Sequence, residues 1–81
     1  MQREQITITV QDILRDVLDN DSLIIFNDMR ADDVDNWDSL SHITIIASIE
    51  KAFTIRFSIS EIDSITNVGD IIAIIENRFI K

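Results

Sequence analysis

Residues 38–53 read Asp38-Ser39-Leu40-Ser41-His42-Ile43-Thr44-Ile45-Ile46-Ala47-Ser48-Ile49-Glu50-Lys51-Ala52-Phe53, and their spacing decides the fold. Asp38 is a good N-cap, and no glycine or proline interrupts the fifteen residues after it. A helix over Ser39–Phe53 is expected. At about 100° per residue, Ile45, Ile46, Ile49 and Phe53 share one face, which is an ordinary core stripe. Leu40, Ile43 and Ala47 share the opposite face. A surface helix needs one apolar stripe, so a second one opposed to it marks either burial on both sides or a docking face for something outside the domain.

Outward from this helix the chain keeps a helical period. Val10, Ile13, Leu14, Val17 and Leu18 form an amphipathic stripe, and Thr9 with Asp12 offers a cap, so a first helix is expected from Thr9 to Leu18. Asn20-Asp21-Ser22, Asn27-Asp28 and Asp35-Asn36 are turn formers that make residues 19–37 a long connection around Leu23-Ile24-Ile25-Phe26. A connection of that length in a small domain is usually functional. Beyond Phe53, Thr54–Ile59 alternates like a strand but has no second strand to pair with, and is expected as an extended connector with Ile55, Phe57 and Ile59 inward. Ser60 with Asp63 opens a short third helix that buries Ile62 and Ile65. Asn67 with Asp70 opens a last helix whose core stripe is Val68, Ile71, Ile72, Ile75 and Phe79. Eighteen isoleucines in 81 residues favour strands by propensity, but the 3.6-residue spacing and the caps outweigh it. The expected fold is all-α: one domain over residues 1–81, a small four-helix bundle with a long loop between helices 1 and 2 and a short helix 3.

Composition narrows the function. With no cysteine and one histidine, the fold must rest on packing. The longest apolar run, Ile71–Ile75, is far short of the roughly 18 residues of a membrane span. No apolar segment follows Arg3 at the N-terminus, so no secretory signal and a cytoplasmic location are expected. The net charge of −8 repels phosphate backbones and argues against nucleic acid. That charge is concentrated in residues 1–38, which hold ten acidic and three basic side chains, and five aspartates fall within residues 28–38. Basic protein surfaces are the partners this field favours. Asp33 and Asp35 are spaced like the first two ligands of a calcium loop, but Asp38 stands where glycine is needed and Thr44 where a bidentate glutamate is needed, so no metal site is expected. Ser39 lacks the G-x-S-x-G elbow of a hydrolase, and His42, three residues on, has no third residue to orient it. No enzyme is expected.

Asp38-Ser39-Leu40 at a helix start, after an acidic loop and before Ile43, Ile46, Glu50 and Phe53, resembles an acyl carrier protein. The resemblance runs on through Phe57, Glu61, Ile62 and Val68 to Gly69-Asp70. It implies that Ser39 is the attachment point of 4′-phosphopantetheine, delivered from coenzyme A by a Mg²⁺-dependent phosphopantetheinyl transferase, with an acyl cargo held on the terminal thiol as a thioester. It makes Asp38 and Leu40 part of the recognition motif around the serine, and places His42 where the arm emerges. The docking surface it implies comprises Leu40, Ile43, Ala47 and Glu50 with Asp33 and Asp35, meeting acyl-activating, acyltransferase or synthase enzymes through their basic surfaces, with the carrier a monomer. Fatty-acid carriers often have glycine where Asn36 stands, and acids where Ser41 and Thr44 stand. A dedicated carrier in a specialised lipid, polyketide or other secondary pathway is therefore expected. The alternatives are an aminoacyl or peptidyl carrier and, from another class, a non-carrier interaction module docking through helix 2.

Overall fold

In the computed structural model, which describes residues 2–79, the chain forms four helices: α1 (Arg3–Val17), α2 (Ser39–Phe53), α3 (Ile59–Ser64) and α4 (Val68–Phe79). Among the described residues there is no strand. The radius of gyration, 11.6 Å, is that of a fully collapsed chain of this length, about 12 Å. The core is built from Ile6, Val10, Leu14 and Leu18 of α1 and its end, Ile45, Ile46, Ile49 and Phe53 of α2, and Val68, Ile71, Ile72 and Ile75 of α4. Ile25, Met29, Trp37 and Phe57 close it from the connections.

Helix α1 begins six residues before the expected Thr9. The reason is a strict four-residue repeat, Ile6, Val10, Leu14 and Leu18, each at most 1% exposed. Residues 6–9 alternate Ile and Thr in the manner of a strand, which hides this repeat in the sequence. The alternation is tolerated in the helix because the Thr7 and Thr9 hydroxyls donate to the carbonyls of Arg3 and Gln5 at 2.9 and 3.0 Å. The expected cap at Thr9 is not used, and Gln2 at the helix start supplies no side-chain cap.

Helix α3 is capped two residues earlier than expected. Ser58 and Glu61, not Ser60 and Asp63, form its reciprocal capping box. The helix therefore starts at Ile59, which faces solvent rather than the core, while Phe57 stays buried and Ile55 half-buried. Glu61 also pairs with Arg78 of α4. That pairing first, then the Ser58 N–H, hold its carboxyl down at about 2 from an ordinary 4.5. A depressed carboxylate stabilises the fold above its unfolded pKa and loses that contribution as pH falls through the folded one. Glu61→Gln is expected to lower the urea midpoint at neutral pH, with the gap to the parent closing between about pH 4.5 and about 2.

In α4, Asn67 is the expected cap, accepting the Asp70 N–H at 2.9 Å. Val68, Ile71, Ile72 and Ile75 are buried as expected, whereas Phe79 is partly exposed, tilted against Phe53 with ring centroids 6.2 Å apart. Helix α2 ends on Thr54, at φ 56° and ψ 49°. The left-handed region costs a non-glycine residue roughly 1–2 kcal/mol, and a β-branched one is the worst case. Thr54→Gly is expected to stabilise the protein by about 1 kcal/mol, seen as a rise of about 4–8 °C in Tm by circular dichroism.

The long connection is fastened at several points. Arg15 Nε donates to Leu23 O at 2.7 Å, and Gln11 Oε1 accepts the Ile25 N–H at 3.0 Å. The first amides of α4 complete the hold, with Val68 N–H donating to Met29 O and Gly69 N–H to Asn27 O, both at 2.8 Å. A Cβ on Gly69 would lie 2.9 Å from Asn27 O, so only glycine allows this approach. Ile25 and Met29 thereby point inward, leaving Ile24 and Phe26 exposed.

Candidate functional site

Ser39 occupies the first position of α2 and is exposed. Its surroundings are set by the cap. Asp38 accepts the Ser41 N–H at 2.9 Å, and Ser41 Oγ lies 2.8 Å from the Asp38 N–H that donates to it. The Ser41 hydroxyl also donates to Asn36 O at 2.6 Å. The Ser41 N–H, then its hydroxyl, hold the Asp38 carboxyl below the ordinary carboxylate value. Ser41 and Thr44 thus have local work, Thr44 Oγ1 donating to Leu40 O at 3.1 Å. The Ser41 hydroxyl is turned into the cap, whereas Ser39 stands outside it.

Asn36 has φ 71°. The chain must turn through the left-handed region there before entering α2, and asparagine adopts it at little cost, which accounts for a residue other than glycine at that position. The turn brings Trp37 inward, 8% exposed, against α2. Its Nε1–H donates to His42 Nδ1 at 3.2 Å, and the two rings lie side by side, with centroids 6.2 Å apart and 24° between planes.

An open cleft of about 490 Å³ lies beside Ser39, lined by Ala31, Asp32, Trp37, Asp38, His42 and Ile43. A second, more apolar groove of about 210 Å³ continues along α2 toward α3, lined by His42, Ile43, Ile46, Ala47, Glu50 and Ile62. His42 borders both. Leu40 and Ile43 are 78% and 66% exposed, and Ala47 is exposed beside them, so the second stripe of α2 faces solvent and is not buried within the domain.

Other expected site residues lie elsewhere. Glu50 is half-buried and its Oε2 accepts the Phe57 N–H at 2.8 Å, tying α2 to the connector. Asp33 caps a 3-10 turn over Ala31–Asp33, accepting the Arg30 N–H at 3.0 Å. Asp33 and Asp35 border a separate hollow with Leu23, Ile24, Phe26 and Val34, and Asp32 is the loop carboxylate on the Ser39 cleft. From sequence, Asp32 is expected only among the loop carboxylates that steer partners, with Asp33, Asp35 and Asp38, and Trp37 is given no role at the site. The available signal was a lone tryptophan two residues before the serine and a lone histidine three after it. Among the described residues no three carboxylates or imidazoles converge to hold a metal ion, and no helix is long and apolar enough to cross a membrane.

The residues present fit a phosphodiester-linked arm: an exposed hydroxyl at a helix N-terminus, where the dipole favours an anion, opening on a cleft that leads to an apolar groove. Residues 4–75 match the family described as "Phosphopantetheine attachment site". Among solved structures, the holo acyl carrier protein from Geobacter metallireducens is similar, with 34% sequence identity, a TM-score of 0.85, and coverage of 90% of this chain and 84% of that one. No curated protein matches the sequence. Fold, motif and family match agree, and the chain belongs to the acyl carrier protein family, whose members hold phosphopantetheine covalently and act as carriers, not enzymes.

Proposed function

We propose that Ser39 is the residue that bears 4′-phosphopantetheine, and that this single carrier domain serves a dedicated pathway, delivering one acyl group between partner enzymes. The observation that carries the assignment is the exposed Ser39 hydroxyl at the first residue of α2, with Asp38 capping the helix beside it. When bound, the arm supplies a thiol that holds an acyl group as a thioester. Asp38 fixes the start of the helix so that the Ser39 hydroxyl is presented in one geometry. The Ile43, Ile46, Ala47 and Ile62 groove offers an apolar wall along which arm or cargo can lie. Incubation with coenzyme A, Mg²⁺ and a transferase should add one phosphopantetheine group, and tandem mass spectrometry should place it on Ser39. Its appearance on Ser41 would overturn the assignment.

Partner enzymes, a phosphopantetheinyl transferase and acyl-activating, acyltransferase or synthase enzymes, are proposed to meet α2 through basic surfaces. Leu40, Ile43 and Ala47 form the apolar anchor and the acidic loop supplies the steering. Ser41 and Thr44 are neutral, Lys51 offsets Glu50, and Glu50 is engaged with Phe57, so α2 itself adds little charge. This weak charge on the helix is what favours a specialised partner set over a housekeeping fatty-acid role. Steering acts mainly on the association rate and fades with salt, whereas a buried anchor sets the lifetime. Ile43→Ala is therefore expected to slow transfer by a cognate enzyme at every salt concentration, by about fivefold or more, since truncating a buried anchor commonly costs over ~1 kcal/mol. Asp33→Asn with Asp35→Asn should slow it at low salt only. Transfer kinetics across a salt series check both, and an unchanged rate for a folded Ile43→Ala variant would remove the docking stripe.

A further inference from the structure

The cleft beside Ser39 has an unbalanced charge. Asp32 reaches it from the 3-10 turn and Asp38 from the cap of α2, and both are acidic. A phosphodiester on the Ser39 hydroxyl adds a third negative charge within the same space. The Ser41 N–H already donates to Asp38, which leaves one amide fewer at the helix end to meet that charge. Among the residues lining the cleft, His42 is the one side chain able to carry a positive charge.

Its orientation follows from its partner. An indole N–H is a donor only, so His42 Nδ1, 3.2 Å from Trp37 Nε1, must be the unprotonated nitrogen. The neutral imidazole then carries its proton on Nε2. The indole, 24° from the imidazole plane, fixes the ring orientation as well as the tautomer. Residues three apart on a helix have Cβ atoms about 5–6 Å from each other, which is within reach of a phosphate attached to the Ser39 oxygen.

We propose that His42, held in one tautomer by Trp37, binds the phosphodiester of the arm on Ser39 through its Nε2–H and anchors the arm at the cleft mouth. The proposal rests on the Ser39 assignment above. No bond is made or broken: the neutral imidazole, its Nδ1 occupied by the Trp37 N–H, donates a hydrogen bond through Nε2–H. The other groups around it are accounted for. Asp32 and Asp38 border the cleft, Glu50 borders the adjoining groove with its Oε2 on the Phe57 N–H, and the α3–α4 connector presents Ile65, Thr66 and Asn67, none of which titrates.

The test uses the apo protein and the protein loaded with coenzyme A and a transferase, with loading on Ser39 verified by mass. As the chain has one histidine, its ring resonances are read without ambiguity. The expected result is ¹⁵N shifts that show the Nε2–H tautomer in the neutral ring, with the Nε2–H proton resonance moving downfield on loading as the phosphodiester accepts from it. The ³¹P resonance of the phosphodiester should move in His42→Phe, which keeps a ring and removes the donor. Trp37→Phe keeps an aromatic ring but removes the donor, and should mix the two tautomers. A loaded protein whose His42 ring resonances are those of the apo protein, or whose ³¹P resonance is the same with and without His42, overturns the proposal and leaves the Ser39 assignment standing. Failure to load Ser39 overturns both.

Discussion

Ser39→Ala is expected to lose the ability to accept phosphopantetheine entirely. The intact mass of the variant should be unchanged after incubation with coenzyme A, Mg²⁺ and a transferase under conditions that fully convert the parent. The size of the effect follows from what the neighbouring hydroxyls are doing. Ser41 lies two residues on, but its Oγ donates to Asn36 O at 2.6 Å and stands 2.8 Å from the Asp38 N–H it accepts. Using it would break the cap that fixes the start of α2. Thr44 is turned back onto Leu40 O. No nearby side chain can replace Ser39 without dismantling the geometry that presents it. The substitution removes one exposed oxygen from a helix whose core face is untouched, so the circular dichroism spectrum and melting temperature should match the parent. Residual modification of the alanine variant would show that the attachment point is elsewhere.

The second large effect is on stability, and the same substitution at two positions of one helix separates core from surface. Ile49 is fully buried and Ile43 is 66% exposed. Ile49→Ala removes buried methyl groups and leaves a cavity in the core, a change worth about 2–5 kcal/mol. A chain of this length has a total stability on the order of 4–12 kcal/mol. The variant should therefore lose a large fraction of its cooperative unfolding transition in urea, or have none. Ile43→Ala should stay within about 0.5 kcal/mol of the parent. If the two variants unfolded at the same midpoint, the assignment of opposed core and solvent faces to α2 would be wrong.

How much of this was legible in the sequence depended on whether local signals competed. Helix α2 was read to the residue, because an unambiguous cap, the absence of breakers and two opposed stripes all agreed. Helix α1 was read short because Ile6-Thr7-Ile8-Thr9 has the period of a strand. Only the packing of Ile6 against the rest of the core decides the matter, and that is not a local property. For α3 the sequence offers two caps of identical spacing, Ser58 with Glu61 and Ser60 with Asp63. What favours the first is the reach of Glu61 to Arg78, seventeen residues away. The same limit applies at the site. Ser39 and Asp38 could be picked out from adjacent residues, whereas the contact of Trp37 with His42 depends on the left-handed turn at Asn36, and the place of Asp32 on the cleft depends on the fold of the loop.

The side chain of Arg3, in the first turn of α1, reaches both Glu76 near the end of α4 and Asn27 Oδ1 in the loop. The start of the first helix and the last turns of the fourth therefore lie side by side. A covalent connection of a few flexible residues between them would span the gap without disturbing any core side chain. The order of the helices along the chain is then not essential to the fold. A circular permutant opened at the exposed Asn20-Asp21-Ser22 turn should reach the same native state. Its new ends would lie within the acidic connection, so a fluorophore or fusion partner could be attached there.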